Sequence, residues 1–331
     1  MNRKDLLDQV IKDLNGIVGN GYDPAVRINE KFFQAAHSWF SYVWWLLTEA
    51  PGLRKNRQEI QEFMDLPFLK WQAETHRQLG RLERLKFPGL IEPLKQALLT
   101  ELPYSSNEPT LLLSLGCGTM EVERQLAEAM TIRNLSIPMV IIGIDNSLQI
   151  EDEAAQNLNG LASRGVVDFQ IIKQVDHENL TILCQKTKEA AKIQLAICNT
   201  DLFSLQDLPE GLFDMVYHSR LKHHIKMNNK THLDELIEKL CACKAFEFDD
   251  YFSVPNFIFP SFITWKWPLT LNGAILSYLR DASKKELKGQ ANDRWALKFF
   301  NLGFYLRTLT KAQNNQPPRN IGERLNALAR F

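Results

Sequence analysis

Cysteine is scarce: five residues in 331, at positions 117, 184, 198, 241 and 243. So small and odd a set builds no disulfide framework. Cys241 and Cys243, one residue apart with no second pair, lack the spacing of zinc ligands. The expectation is therefore no metal, buried reduced thiols and a reducing, cytoplasmic compartment. Long apolar runs are missing too. No stretch approaches the ~20 uncharged apolar residues that span a bilayer, so no stable membrane insertion is expected. The opening MNRKDLLDQVIKDL is charged throughout, which is not the pattern of a signal peptide. Charge of one sign is absent, with 39 Lys and Arg against 39 Asp and Glu. A neutral chain exerts no long-range pull on nucleic acid or on an anionic membrane, and neither is expected as a partner. There is no internal repeat and no low-complexity tract. The length allows one large domain with additions, or two domains.

What the chain does have is a strand, turn and helix at 110–130, TLLLSLGCGTMEVERQLAEAM. Leu111, Leu112, Leu113 and Leu115 form a short apolar run suited to a strand buried on both faces. Gly116 and Gly118 follow at once. From Glu121 the period turns helical, with Val122, Leu126, Ala129 and Met130 at spacings of three and four. Glycines in such a turn allow backbone angles other residues avoid, and they let a ligand approach the main chain. The helix start adds unpaired N–H groups and a positive dipole end. This corner suits a nucleotide-type ligand. A plain turn has the same outline, so the elements that follow decide.

Residues 1–100 read as helical. Phe32, Phe33, Ala36, Trp39, Phe40, Val43, Trp44 and Leu47 form one broad aromatic face that ends at Pro51-Gly52. That face, with Trp45, reads as core or as an apolar wall over a substrate pocket. Further helical segments are expected over 66–86 and 89–102, then a linker over 103–109. After the glycine turn, Met139–Ile144 reads as a second buried strand, ending at Asp145. A helix through Ala154 and Leu161 follows, then a strand over Val166–Ile172, a helix over Thr181–Lys192 and a strand over Ile193–Cys198. Phe213–Tyr217 reads as strand, His232–Cys241 as helix and Lys244–Phe252 as strand. Such alternation gives a parallel sheet covered on both faces. Near the end, Tyr305–Thr310 alternates like an exposed edge strand, and Arg324–Phe331 is expected to return as a last strand. Residues 256–282, rich in Phe, Trp and Pro, are expected as a cap or substrate wall, or as a surface-seeking segment.

In an open parallel sheet a ligand binds beyond the carboxyl ends of the strands, near the point where strand order reverses. Asp145 ends the second strand, 27 residues after Gly118. A carboxylate there accepts hydrogen bonds from both hydroxyls of a ribose. Asp145-Asn146-Ser147 before a helix is also an N-cap, and the two roles are compatible. Asp201, beyond a later strand, is placed to read an adenine amino group or is a loop aspartate.

The order LLLSLGCGTM, VIIGIDNS, CNTDLFSL and LPEGLFDMVYHSRLKHHI resembles the class I S-adenosylmethionine-dependent methyltransferases over roughly 110–255. The resemblance implies an α/β fold: a Rossmann-like doubly wound sheet, mostly parallel with a C-terminal antiparallel strand. That domain would span 106–331, behind a helical N-terminal region over 1–105 that acts as lid or substrate wall. The resemblance implies S-adenosylmethionine (SAM) as cofactor and S-adenosylhomocysteine (SAH) as product. It implies that Gly116, Cys117 and Gly118 approach the methionine part of the cofactor. Asp145 would hold the ribose, with Asn146 beside the adenine and Asp201 and Leu202 bordering the ring. His218 and Ser219 would line the transfer site. Two positions depart from the family: Ser114 stands where it has an acidic residue, and Met120 where it has a third glycine. Ser114 keeps a hydroxyl for water or for the cofactor's amino group. The segment from Asp145 to Asp201 is longer than the family needs, which places an insertion with an extra strand-like element near 166–190.

Methyl transfer to an acceptor that is already nucleophilic rests on proximity and alignment. A hydroxyl acceptor also needs a base, and histidine suits that task near neutral pH. His218, His223 and His224 cluster at the end of the motif series. His223 is the first candidate base, with His218 and His224 beside it; packing or a helix start is the alternative for all three. The chain lacks both the Asn/Asp-Pro-Pro-Tyr/Phe sequence of base-amino methyltransferases and a Pro-Cys dipeptide. The aromatic flanks favour a small, partly apolar substrate, with Arg220 and Lys222 either recognising an acid group on it or solvated. The rival reading is a catalytically degenerate methyltransferase-fold binding or scaffold protein. A nicotinamide-dependent oxidoreductase ranks last, because the third glycine of its fingerprint is missing. The aromatic N-terminal helices suit packing on the domain or on a second subunit, so a homo-oligomer is an open expectation.

Overall fold

The computed structural model describes residues 2–18, 23–57, 60, 61, 66, 71, 74, 75, 78, 91–102, 108–147, 150–190, 192–222, 224, 225, 229–252, 264–290, 294–300, 304–311 and 320–330. The chain begins with α1 (Arg3–Val18), α2 (Pro24–Ala35), α3 (Trp39–Thr48), α4 (Ala50–Lys55) and α5 (Glu92–Glu101). The alternation follows: β1 (Thr110–Leu115), α6 (Glu121–Ile132), β2 (Met139–Asp145), α7 (Ile150–Ala162), β3 (Val167–Ile172), α8 (His177–Ala190), β4 (Ile193–Asn199) and β5 (Phe213–Ser219). Then come α9 (Lys230–Leu240), β6 (Cys241–Asp250), α10 (Pro268–Arg280), α11 (Lys284–Gln290), β7 (Trp295–Phe299), β8 (Phe304–Thr310) and α12 (Ile321–Leu328).

The strands form one sheet in the order β3-β4-β2-β1-β5-β6-β8-β7. β1 to β6 run parallel, and β8 enters antiparallel between β6 and β7. Every residue of β1 is buried, because helices cover both faces and an all-apolar strand is the stable filling for such a place. Leu112 of β1 packs with α5, α6 and α7, while Leu111, Leu113 and Leu115 pack with α8, α9 and α12. From β1 the chain moves one way to β2 and β4, then returns to the other side of β1 as β5. The crevice of the sheet therefore opens at the carboxyl ends of β1 and β5. β3 and α8 form the expected insertion, and β3 is the edge strand beyond β4.

A third apolar cluster lies in the helical layer. Leu7, Val10 and Leu14 of α1 meet Phe32 and Phe33 of α2 and Leu271, Ile275 and Leu276 of α10. The edge of the Phe32 ring faces Trp45 at 5.4 Å between centroids, a favoured aromatic geometry. Buried Asn272 donates to Asn29 Oδ1 at 2.9 Å. The aromatic-rich stretch thus contributes a helix to the N-terminal layer; residues 253–263 lie outside the described residues.

Several expectations are corrected. Pro51-Gly52 lies inside α4, and α3 ends earlier at Thr48; proline at a second helical position loses no hydrogen bond. The aromatic face of α3 divides: Trp45 is buried, whereas Phe40 and Trp44 are 79% and 61% exposed. β8 is an interior strand, since both of its edges pair. Arg324–Leu328 is helical, not strand: Ile321, Leu325 and Leu328 bury one face and Asn320 caps the start through Glu323 N–H at 2.8 Å. Residues 66–86 lie largely outside the described residues. No described helix is long and apolar enough to cross a membrane.

Candidate functional site

Gly116 and Gly118 adopt φ of 61° and 53°, the left-handed region where a side chain strains the backbone. The Cys117 N–H donates to Ile144 O at 3.0 Å, which ties the turn to the end of β2. The Gly118 N–H donates to Asp145 Oδ2 at 3.0 Å and the Ser147 N–H to Oδ1 at 2.9 Å. Asp145 is thereby fixed beside the turn. Open space surrounds Gly118, with no heavy atom within 4 Å of where a Cβ would stand. At Gly116 the same position lies 2.7 Å from Leu221 Cδ1, so the segment after β5 leans on the turn.

Met120 also has a left-handed backbone, with φ of 59°, and is fully buried. Its Sδ packs where a Cβ on Gly143 would come within 2.7 Å. Where the resemblance implies a third glycine, this methionine keeps the left-handed backbone angle, at a cost of about 1–2 kcal/mol. Its side chain turns into the sheet over Gly143.

At the other end of the crevice, the Thr200 N–H donates to Asp145 O at 2.9 Å and Asn199 donates to Ser147 O at 3.2 Å. Asp201 is exposed and caps the short 3-10 turn Leu202–Asp207 through the Phe203 N–H at 3.0 Å. Asn146 is exposed and Leu202 is half-buried. The Ser147 hydroxyl is buried with no hydrogen-bond partner. Asp145, Asn146, Asp201 and Leu202 thus gather at the ends of β2 and β4.

Ser114 is buried near the Glu123 carboxyl, which accepts from the Tyr217 hydroxyl at 2.7 Å. Burial raises the Glu123 carboxyl above its usual range, against the pull of the Ser114 and Tyr217 hydroxyls. Its Oε2 is buried without a partner. A carboxylate thus comes from α6 to stand beside Ser114. Sequence reasoning missed it, although its signal was present: Glu123 shares an otherwise apolar helical stripe with Ala127 and Met130.

The histidines fall differently from expectation. His218 is fully buried, with Nε2 3.9 Å from Glu247 Oε2. Glu247 accepts from Lys222 Nζ at 3.0 Å, Arg307 Nη1 at 2.7 Å and Tyr305 Oη at 2.6 Å, and Lys222 also binds Asp234 at 2.7 Å. Burial pushes His218 below its ordinary pKa, against the attraction of Glu247 and Asp249. Its imidazole is neutral and enclosed, so it lines a buried ionic cluster and no open acceptor site. Lys222, 9% exposed and doubly paired, is neither solvated nor open to a substrate. His224 is half-buried, and His223 lies outside the described residues.

No protein-family model matches the chain, and no curated protein matches it in sequence. Among solved structures it is similar to the plantazolicin methyltransferase BpumL in complex with SAH, at 10% identity over 81% of this chain and 99% of that one, with a TM-score of 0.48. It is similar to the plantazolicin methyltransferase BamL at 12% identity over 81% and 100%, with a TM-score of 0.48. A third is magnesium protoporphyrin IX methyltransferase from Synechocystis PCC 6803 with bound SAM, at 10% identity over 88% and 99%, with a TM-score of 0.39. On its own strand order, with the antiparallel β8 between β6 and β7 and the four motifs at the ends of β1, β2, β4 and β5, the chain has the Rossmann-like fold that its resemblance to class I methyltransferases implies.

Proposed function

We propose that this chain transfers a methyl group from SAM to a small, partly apolar molecule. The observation that carries the reading is the Asp145 carboxylate, held by the Gly118 and Ser147 N–H groups next to a turn with open space at Gly118. Each carboxylate oxygen has two lone pairs, so both keep capacity for ribose hydroxyls. Asn146, Asp201 and Leu202 would meet the adenine, and the main chain of Gly116, Cys117 and Gly118 the methionine part. SAM, when bound, supplies a methyl group on a sulfonium and leaves as SAH. The work of the chain is to align an acceptor and exclude water, and alignment alone is worth several kcal/mol, roughly 7–11 in well-oriented systems. For a hydroxyl acceptor, His223 is the base we propose, with His224 next; buried, neutral His218 is given no proton to move. The five unpaired thiols, four of them buried, support a reducing, cytoplasmic setting.

One observation favours a second reading, a binding or scaffold protein of the same fold without turnover. Leu221 leans on Gly116 and narrows the crevice there. Calorimetric titration with SAM and SAH, on native protein and Asp145→Ala, separates the two. The enzyme reading expects binding that Asp145→Ala weakens at least about tenfold, ~1.4 kcal/mol. Folded, ligand-free native protein that binds neither compound sinks the enzyme reading and leaves the scaffold.

A further inference from the structure

Just past the end of β5 stands a cation that the fold leaves unused. Arg220 follows Ser219 at the carboxyl end of the strand beside β1, where the crevice opens. Its φ is 55°. A left-handed angle on a non-glycine residue is strained and recurs at ligand sites. The Arg220 N–H donates to Phe248 O at 2.8 Å, so the strained backbone is held in place. The guanidinium carbon lies 5.7 Å from the centroid of the Phe304 ring, which stacks on Phe248 at 5.5 Å. Its Nε is buried and has no hydrogen-bond partner.

Neighbouring cations are treated otherwise. Lys222 and Arg307 share Glu247 and Asp234, and Arg54 and Arg57 share Glu286. Arg220 makes no ion pair among the described residues. Asp250 and Asp281 act, with Arg220, on buried Tyr278 of α10, yet neither pairs with Arg220. A buried donor left without a partner is destabilising. A guanidinium offers parallel N–H donors that match the two oxygens of a carboxylate. Phe304, beneath the guanidinium and 8% exposed, is the apolar neighbour of this cation.

We infer that Arg220 receives a carboxylate on the methyl acceptor, whose apolar part lies beside Phe304. The acceptor class is then a small apolar or aromatic carboxylic acid. The inference rests on the methyl-transfer reading. A carboxylate also occurs on the methionine part of the cofactor, and the test keeps the two sources apart.

The probes are benzoate and its uncharged counterpart benzyl alcohol, titrated by ligand-observed NMR into the full chain, free and saturated with SAH. Native protein, Arg220→Gln and Arg220→Gly are compared. Glycine is at ease at this φ, so the Gly variant keeps the fold if glutamine does not. The expected result is benzoate binding at least about tenfold tighter than benzyl alcohol. The preference is lost in both variants while their SAH affinity stays within about twofold of native. Equal binding of the two probes by native protein overturns the inference, as does a preference that survives both substitutions. A tenfold loss of SAH affinity with benzoate binding unchanged assigns Arg220 to the cofactor and also overturns it. If SAH does not bind native protein, the methyl-transfer reading fails by itself. The probe preference of the free protein then still decides whether Arg220 is a carboxylate site.

Discussion

Gly143 shows how a residue with no motif of its own shapes the turn. A methyl group there would meet Met120 Sδ at 2.7 Å and Cys117 Sγ at 2.8 Å. Overpacking of this kind typically costs about 1–3 kcal/mol. Gly143→Ala is therefore expected to lose that much stability in denaturant melts. It should also weaken SAH binding in calorimetry, because relief requires the turn itself to move. Gly116, Gly118 and Asp145 were legible in the sequence because their roles are local: a left-handed turn asks for glycine, and a strand end places a carboxylate. Glu123 and Gly143 were not. A carboxylate on an apolar helical stripe makes sense only once Tyr217, 94 residues away in sequence, supplies a hydroxyl. A strand glycine likewise makes sense only once a methionine sulfur lies over it.

At the scale of elements, the buried parallel strands were readable because each is an unbroken apolar run between turn residues. The C-terminus was not. A short segment with Leu325 and Leu328 fits either period until its packing is known. As a helix it places Arg324 2.9 Å from Asp214, whose Oδ2 also accepts the Leu111 N–H at 2.8 Å, so α12 is anchored to β5 and β1. Its start depends on the Asn320 side chain. Asn320→Ala is expected to cost about 1 kcal/mol, read as a lower urea midpoint, with faster amide exchange confined to Ile321–Leu328. Loss of exchange protection across the whole sheet would show that α12 is not a separate element.

At the scale of the molecule, the cluster around Glu247 joins β5, β6, β8 and α9. Burial alone would raise the Glu247 carboxyl, but Lys222 and Arg307, with the Tyr305 hydroxyl, hold it down at about 2 against an ordinary 4.5. A carboxyl depressed in the folded state adds stability that is fully present above its unfolded value and is lost as pH falls through the folded one. Stability is thus expected to fall between about pH 4.5 and pH 2. Glu247→Gln, which removes the buried one of the two anions that Lys222 and Arg307 share, is expected to cost about 3 kcal/mol at neutral pH. Urea melts from pH 7 downward check this. The gap between native protein and variant should narrow as acid protonates the native carboxyl, and a gap constant with pH would refute the assignment.

The alternating strands and helices, the glycine turn, the Asp145 strand end and the extra strand-like element between Asp145 and Asp201 are all written in local sequence. Each depends on residues close together in the chain, through hydrophobic period or backbone angle. Packing between distant segments set the rest: β8 is interior, α10 completes the core of the N-terminal layer, His218 is enclosed and Arg220 has no ion pair among the described residues. Those outcomes depend on which distant strand supplies a partner and which helix excludes water, and neither is written in any local pattern.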